Sequence, residues 1–167
     1  SFVSSCAAYF LLRVTTLPYS GCVKRRSTLT LTVLSALSLT TTPVKVFFDG
    51  GCRPNPGAIQ TAVVAAGQTR HRTDHGHGDN SDAEWLALIE ALSVARQLGV
   101  RDLILIGDST LVVAQASGSA RRVAPRFAAY LATFRELASG FDRVRVRHVR
   151  RAQNLAGIAL ERAAGLL

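Results

Sequence analysis

The stretch Val44-Lys45-Val46-Phe47-Phe48-Asp49-Gly50-Gly51-Cys52-Arg53-Pro54-Asn55-Pro56-Gly57 decides the fold. Its first five residues are β-branched or aromatic apart from one lysine, which predicts a strand. Asp49-Gly50-Gly51 then predicts a turn, since glycine and aspartate favour conformations a strand does not need. A carboxylate therefore ends a strand next to flexible backbone.

Working outward from Val44, the apolar run Ala58–Ala66 predicts a second strand and the more polar Gly67–His77 a third, together an antiparallel meander. Ser81 opens a helix to about Leu98, with Leu88, Leu92 and Ala95 on one face and Gly99 as its stop signal. Leu103-Ile104-Leu105-Ile106 is a continuous apolar run, as a central buried strand requires, and Asp108 follows at its end. Ser109–Ala116 predicts a short helix. Pro125–Ala138 predicts another, with Phe127, Leu131, Phe134 and Leu137 at helical spacing. Val144, Val146 and His148 alternate as a fifth strand, and Gln153–Ala164 reads as a last helix. The order βββαβααβα implies an α/β fold with a mixed five-stranded sheet, three strands antiparallel and then parallel ones, flanked by helices.

On the other side of Val44 the composition changes. All 11 acidic residues of the 167-residue chain lie at or after Asp49, whereas residues 1–43 hold Arg13, Lys24, Arg25 and Arg26 and much Ser and Thr. This segment reads as an extension: disordered, similar to an organelle transit peptide, or translated sequence without function. The chain has no methionine and begins with Ser1, so a processed or truncated chain is expected. Thr28–Leu39 is too short and Thr-rich to span a bilayer. The domain is expected over residues 44–167.

With 20 basic residues, net charge +9 and 48% hydrophobic residues, a packed core and a polyanionic partner are both expected. A membrane surface would attract the same charge, so the motifs must decide. Cys6, Cys22 and Cys52 are odd in number and form no C-x-x-C pair, so neither a disulfide framework nor a zinc site is suggested, and a reducing compartment is the simplest reading.

Three acidic residues occupy special places. Asp49 and Asp108 end strands, and Glu84 lies in the first turn of the long helix. In α/β sheets these places converge on one edge. Taken singly, each has a bland explanation as turn former, helix cap or dipole partner. Together, three carboxylates would repel one another unless divalent cations lay between them, and hard oxygen ligands favour Mg²⁺ or Mn²⁺ over zinc.

The motifs add a resemblance. Asp49–Gly57 is similar to the first active-site motif of type 1 ribonuclease H, including its reverse-transcriptase-associated domains. Ala83-Glu84 followed by Leu86–Leu92 resembles the second motif, Ile106–Val113 the third, and His148–Asn154 the segment leading into the fourth. They occur in family order across Val44–Ala163. The resemblance implies a ribonuclease H-like fold and an endonuclease acting on the RNA strand of RNA–DNA hybrids with two Mg²⁺ or Mn²⁺ ions. It implies that Asp49, Glu84 and Asp108 bind metal, with the Gly50 carbonyl near one ion. His148 matches a mobile histidine that assists product release or proton transfer. Asn55 and Asn80 match groups that sense the hybrid's minor groove, and Ser109 a contact to the substrate backbone. Arg121 and Arg122, with Arg126, form a short basic loop suited to phosphate. A monomer is expected, with no membrane partner, in the cytoplasm or in an organelle if residues 1–43 act as a transit peptide.

One departure matters. The family's fourth carboxylate falls four residues after the last motif's asparagine. Here that residue is Ile158, preceded by Gly157 where the family has alanine; Glu161, one helical turn on, is the acid that could compensate. A second reading follows: a nucleic-acid-binding module with weakened or lost catalysis. A transposase or integrase type is disfavoured by the acidic order Asp, Glu, Asp. Other features have bland explanations. His71, His75 and His77 read as a solvated hairpin tip, Trp85 as core or rim, and Arg143, Arg145 and Arg147 as a solvated outer face.

Overall fold

The Val44 run forms a strand longer than its residues alone predict. In the computed structural model, which describes residues 42–166, β1 spans Val44–Cys52. It continues past Asp49 because the backbone of Gly50, Gly51 and Cys52 pairs with β2 (Gly57–Ala65), Cys52 opposite Ile59. The expected turn at Asp49-Gly50-Gly51 is therefore strand; cross-strand hydrogen bonds outweigh the weak propensity of glycine. β3 (Gln68–Arg72) pairs with β2 and is shorter than expected, and a two-residue strand, β4 (His77–Gly78), returns to the start of β2. The expectation for residues 1–43 lies outside the described residues apart from its last two.

Helix α1 (Asn80–Gln97) starts at a complete capping box. Asp79 accepts hydrogen bonds from the N–H groups of Ser81 and Asp82, and the Asp82 carboxylate accepts from the N–H of Asp79. Glu84 consequently lies in the second turn, not the first. β5 (Asp102–Gly107) is buried almost throughout. Ser109 caps α2 (Thr110–Ala116). A 3₁₀ turn at Pro125–Phe127 leads into α3 (Ala128–Ala138), and β6 (Arg143–His148) precedes a second 3₁₀ turn and α4 (Leu155–Ala163).

The main sheet order is β3-β2-β1-β5-β6, antiparallel among the first three and parallel from β1 through β5 to β6. Val46 and Phe48 join Leu88, Leu92, Leu105 and Phe134 in the main core, under α1 and α3. Trp85 is fully buried there, stacked on Tyr130. Alternate β1 residues point the other way, and Phe47 packs with Ala156 and Leu160 of α4. No described helix is long and apolar enough to cross a membrane.

His75 departs from its expected place in a solvated tip. Thr61 Oγ1 donates to Glu90 Oε2 at 2.6 Å, and His75 Nε2 lies 2.9 Å from that hydroxyl and 3.3 Å from the carboxylate. Thr61 and Glu90 are buried between β2 and α1, so His75 folds inward to close a polar cluster. Glu90→Ala, which leaves the buried Thr61 hydroxyl only His75 as a partner, is expected to destabilise the fold by about 1–3 kcal/mol. Glu90→Gln, which keeps an acceptor, should cost less; urea unfolding of both variants checks this.

Candidate active site

Strand register brings two of the three carboxylates together. Phe47 of β1 lies opposite Ile106 of the parallel strand β5. Two residues further along each chain, Asp49 and Asp108 emerge side by side at the carboxyl edge of the sheet. Parallel pairing ends there, so Asp49 does mark an end, although only on that side of β1. Glu84 comes from α1, and Gly50 makes its approach feasible. A Cβ at residue 50 would overlap the carbonyl oxygen of Ala83 and crowd the Glu84 nitrogen, so only glycine lets the helix backbone lie on the strand here. Gly107 is similarly required, since a Cβ there would run into the Phe48 ring.

One ligand atom from each of Asp49, Glu84 and Asp108 lies within 4.8 Å of the others. Asp49 is 1% exposed. Both its carboxylate oxygens and Glu84 Oε2 are buried without a hydrogen-bond partner among the described residues. Buried oxygens of this kind are costly unless something satisfies them. The donor set, all hard carboxylate oxygen at separations that one or more small dications could bridge, fits Mg²⁺ or Mn²⁺.

Electrostatics agree with this fit. Burial, then the neighbouring Asp108 charge, pushes the Asp49 carboxyl up from 3.8 to about 7, with Arg151 opposing. Burial, then the charges of Asp49 and Asp108, pushes Glu84 up from 4.5 to about 9, again against Arg151. For acids raised in the folded state, stability is greatest while both are protonated and is lost as pH rises through their folded-state values. The metal-free protein is therefore expected to lose thermal stability from about pH 4, where the unfolded acids ionise, up to about pH 9, and Mg²⁺ or Mn²⁺ should flatten that decline. Thermal melts across pH, with and without the cation, measure it.

Asp108 is held more firmly. Fully buried Asn154, which caps α4 by accepting from the Ala156 N–H, donates through Nδ2 to Asp108 Oδ1 at 2.7 Å and to the Phe48 carbonyl at 3.0 Å. Arg151 Nη1 reaches Asp108 Oδ2 at 3.3 Å, while its Nη2 donates to Glu161 Oε1 at 2.9 Å. Glu161 thus stands beside the three carboxylates but is engaged by a guanidinium, which changes its expected compensating role. Ile158, half-buried, lies one helical turn beyond Asn154. A Cβ at Gly157 would rest 3.4 Å from Asp49 Oδ2, so α4 passes directly over Asp49. A cavity of about 530 Å³ opens from Asp49 and Glu84 past Arg151 and Glu161 to Leu160.

Surrounding residues fall into place around this edge. His148 pairs with Gly107 at the end of β6, is exposed, and its Nε2 lies 3.1 Å from the Asp108 carbonyl. Asn55 and Asn80 are exposed neighbours. The Asn80 carboxamide oxygen accepts from the Cys52 N–H, and that of Asn55 from the Asn80 N–H, while neither NH₂ group has a hydrogen-bond partner among the described residues. The Ser109 hydroxyl is turned toward the Val112 N–H as a helix cap. Arg121 and Arg122 are exposed. Arg126 differs from them: it donates to Asp79 at 2.7 Å and lies over the Phe127 ring. Arg145 and Arg143 pair with Asp102, so the outer face of β6 is partly neutralised rather than freely solvated.

A mixed sheet of this order, with three carboxylates at its carboxyl edge, defines a ribonuclease H-like domain. The reverse transcriptase-like family matches residues 48–164, and this chain belongs to that family, with the type 1 ribonuclease H architecture. It is 38% identical over 122 residues to Ribonuclease HI of Halobacterium salinarum, covering 70% of this chain and 61% of that protein. The solved RNase H1 of Halobacterium salinarum NRC-1 superposes with TM-score 0.67 at 34% identity, over 74% of this chain and 99% of that one. The N-terminal RNase H domain of a Mycobacterium tuberculosis protein gives TM-score 0.61 at 31% identity, over 75% and 98%. LC11-RNase H1, solved in complex with an RNA/DNA hybrid, gives 0.60 at 25% identity, over 67% and 88%. The chain thus spans less than two thirds of the full-length halobacterial relative.

Two site residues were not singled out by sequence reasoning. Asn154 served there only to count to the missing carboxylate, although an asparagine immediately before a helix is a capping signal. Arg151 carried no local signal, because its partners are 43 and 10 residues away.

Proposed function

We propose that this chain is a metal-dependent endonuclease that hydrolyses the RNA strand of RNA–DNA hybrids. The observation that carries the reading is the convergence of Asp49, Glu84 and Asp108 with buried oxygens that no group among the described residues satisfies. Asp49 and Glu84 would hold Mg²⁺ or Mn²⁺ through those free oxygens, with Asp108 oriented beside them by Asn154; two ions in the active form accord with the family resemblance. When bound, such ions lower the pKa of a water and stabilise the charge on a leaving phosphodiester oxygen. His148, exposed next to Asp108, is placed to move a proton or help product leave. Gly50 lets the Ala83–Glu84 backbone lie against β1 and lines the same cavity.

Substrate choice would rest on Asn55 and Asn80, whose free NH₂ donors suit a 2′-hydroxyl in a minor groove. Arg121 and Arg122 would contact phosphate and Ser109 the backbone, consistent with the excess positive charge. The hybrid bound by LC11-RNase H1 supports this substrate class. Ile158 favours the second reading, a nucleic-acid-binding module of reduced activity. Hybrid should bind more tightly than duplex DNA of the same sequence at about 0.15 M salt, and both should weaken as salt rises. Asn55→Ala with Asn80→Ala should erase the preference. Equal affinity of the unaltered protein for both duplexes, measured by fluorescence anisotropy, would contradict the substrate assignment.

A further inference from the structure

The oxygens of the acidic cluster are unequally free. Asp49 Oδ1, Asp49 Oδ2 and Glu84 Oε2 have no partner among the described residues, whereas each Asp108 oxygen accepts a donor: Oδ1 from Asn154 and Oδ2 from Arg151. The Arg151 guanidinium is held there from its other side, with Nε 3.1 Å and Nη2 2.9 Å from Glu161 Oε1. It lines the same cavity as Asp49 and Glu84. α4 carries Ile158 where a fourth carboxylate would add negative charge. A fixed positive charge therefore lies on the Asp108 side of the cluster, and the unsatisfied oxygens lie on the Asp49–Glu84 side.

We propose that Arg151, clamped by Glu161, serves as a built-in cation of this site, competing with divalent metal at Asp108 so that the free protein binds a single ion, through Asp49 and Glu84. This rests on the metal-dependent reading given above. A guanidinium cannot lose its proton in this environment, so its charge persists at any working pH. A dication approaching Asp108 must displace or tolerate it, and at these separations like-charge repulsion is a substantial opposing energy even near a protein surface. Arg151 acts here through Asp108 and is a positioning residue. Its removal should make metal binding tighter, opposite to the loss expected if it merely braces the site.

Calorimetric titration of the metal-free protein with Mn²⁺ alone tests this. The unaltered chain should bind one Mn²⁺. Arg151→Gln should bind it about tenfold more tightly, a change of about 1.4 kcal/mol, or reveal a second binding event. Arg151→Lys, which keeps the charge, should stay closer to the parent. Thermal melts establish that each variant is folded, and Arg151→Ala repeats the measurement should Arg151→Gln not be. Two Mn²⁺ of similar affinity in the parent, or a single Mn²⁺ in Arg151→Gln bound no more tightly than in the parent, overturns the inference while leaving the metal site standing. If Arg151→Gln leaves Mn²⁺ affinity unchanged and weakens only hybrid binding, Arg151 is a phosphate contact instead. If neither the parent nor any variant binds Mn²⁺, the metal reading fails and this inference fails with it.

Discussion

Asp49→Asn is expected to abolish hybrid cleavage, lowering the rate by about three orders of magnitude or more, which corresponds to about 4 kcal/mol of lost transition-state stabilisation. Asp49 offers two of the site's three buried oxygens that lack a partner among the described residues, and the amide replaces one ligand oxygen with a donor that cannot bind a cation. The same change should raise the melting temperature of the metal-free protein at pH 8. It removes a charge that burial and Asp108 make unfavourable. Activity and metal-free stability thus move in opposite directions, a pattern that general unfolding would not produce. Single-turnover cleavage and thermal melts on one preparation measure both.

Ile158→Asp should raise the cleavage rate by about tenfold or more, and most in Mg²⁺. The unaltered chain is expected to be slow and to prefer Mn²⁺, which binds a given oxygen site more tightly and demands less of its geometry. A carboxylate at residue 158, where the family resemblance implies the fourth acid, would add negative charge on α4, the helix whose Gly157 lies against Asp49, while Arg151 now holds the Asp108 side. If Glu161 supplies the missing negative charge, Glu161→Gln should lower activity in the parent and matter less in the Ile158→Asp background; if it only clamps Arg151, the change should not lower activity, because it loosens the cation beside Asp108. If the parent cleaves nothing in either metal and Ile158→Asp rescues it, the chain is a binding module that lost its chemistry at one position. Should the folded Ile158→Asp variant also stay inert, the ribonuclease reading falls.

The parts of this fold legible in the sequence are those determined by local pattern. Leu103–Ile106 is buried as a continuous apolar run requires, and Leu88, Leu92 and Ala95 face the core at helical spacing. The mixed sheet and the family relationship followed from such elements and from the order of the motifs. What was not legible depends on partners distant in sequence. Gly50 and Gly51 remain in β1 because β2 pairs with them, which no local propensity reveals. His75 turns inward because Thr61 and Glu90, on β2 and α1, need a polar cover. The motifs brought Asp49, Glu84 and Asp108 to attention. Their unequal satisfaction, with Asp108 held by Asn154 and Arg151, emerges only from the packing of α4 across the end of β1.

The most direct measurement is cleavage of an RNA–DNA hybrid end-labelled on its RNA strand by the unaltered protein, in Mn²⁺, in Mg²⁺ and in chelator. The expected result is RNA-strand cleavage in Mn²⁺, slower cleavage in Mg²⁺, none in chelator, and no cleavage of the DNA strand or of duplex DNA. Cleavage that persists in chelator, or that ignores the identity of the strand, would contradict the assignment of Asp49, Glu84 and Asp108 as a metal-dependent, hybrid-directed site.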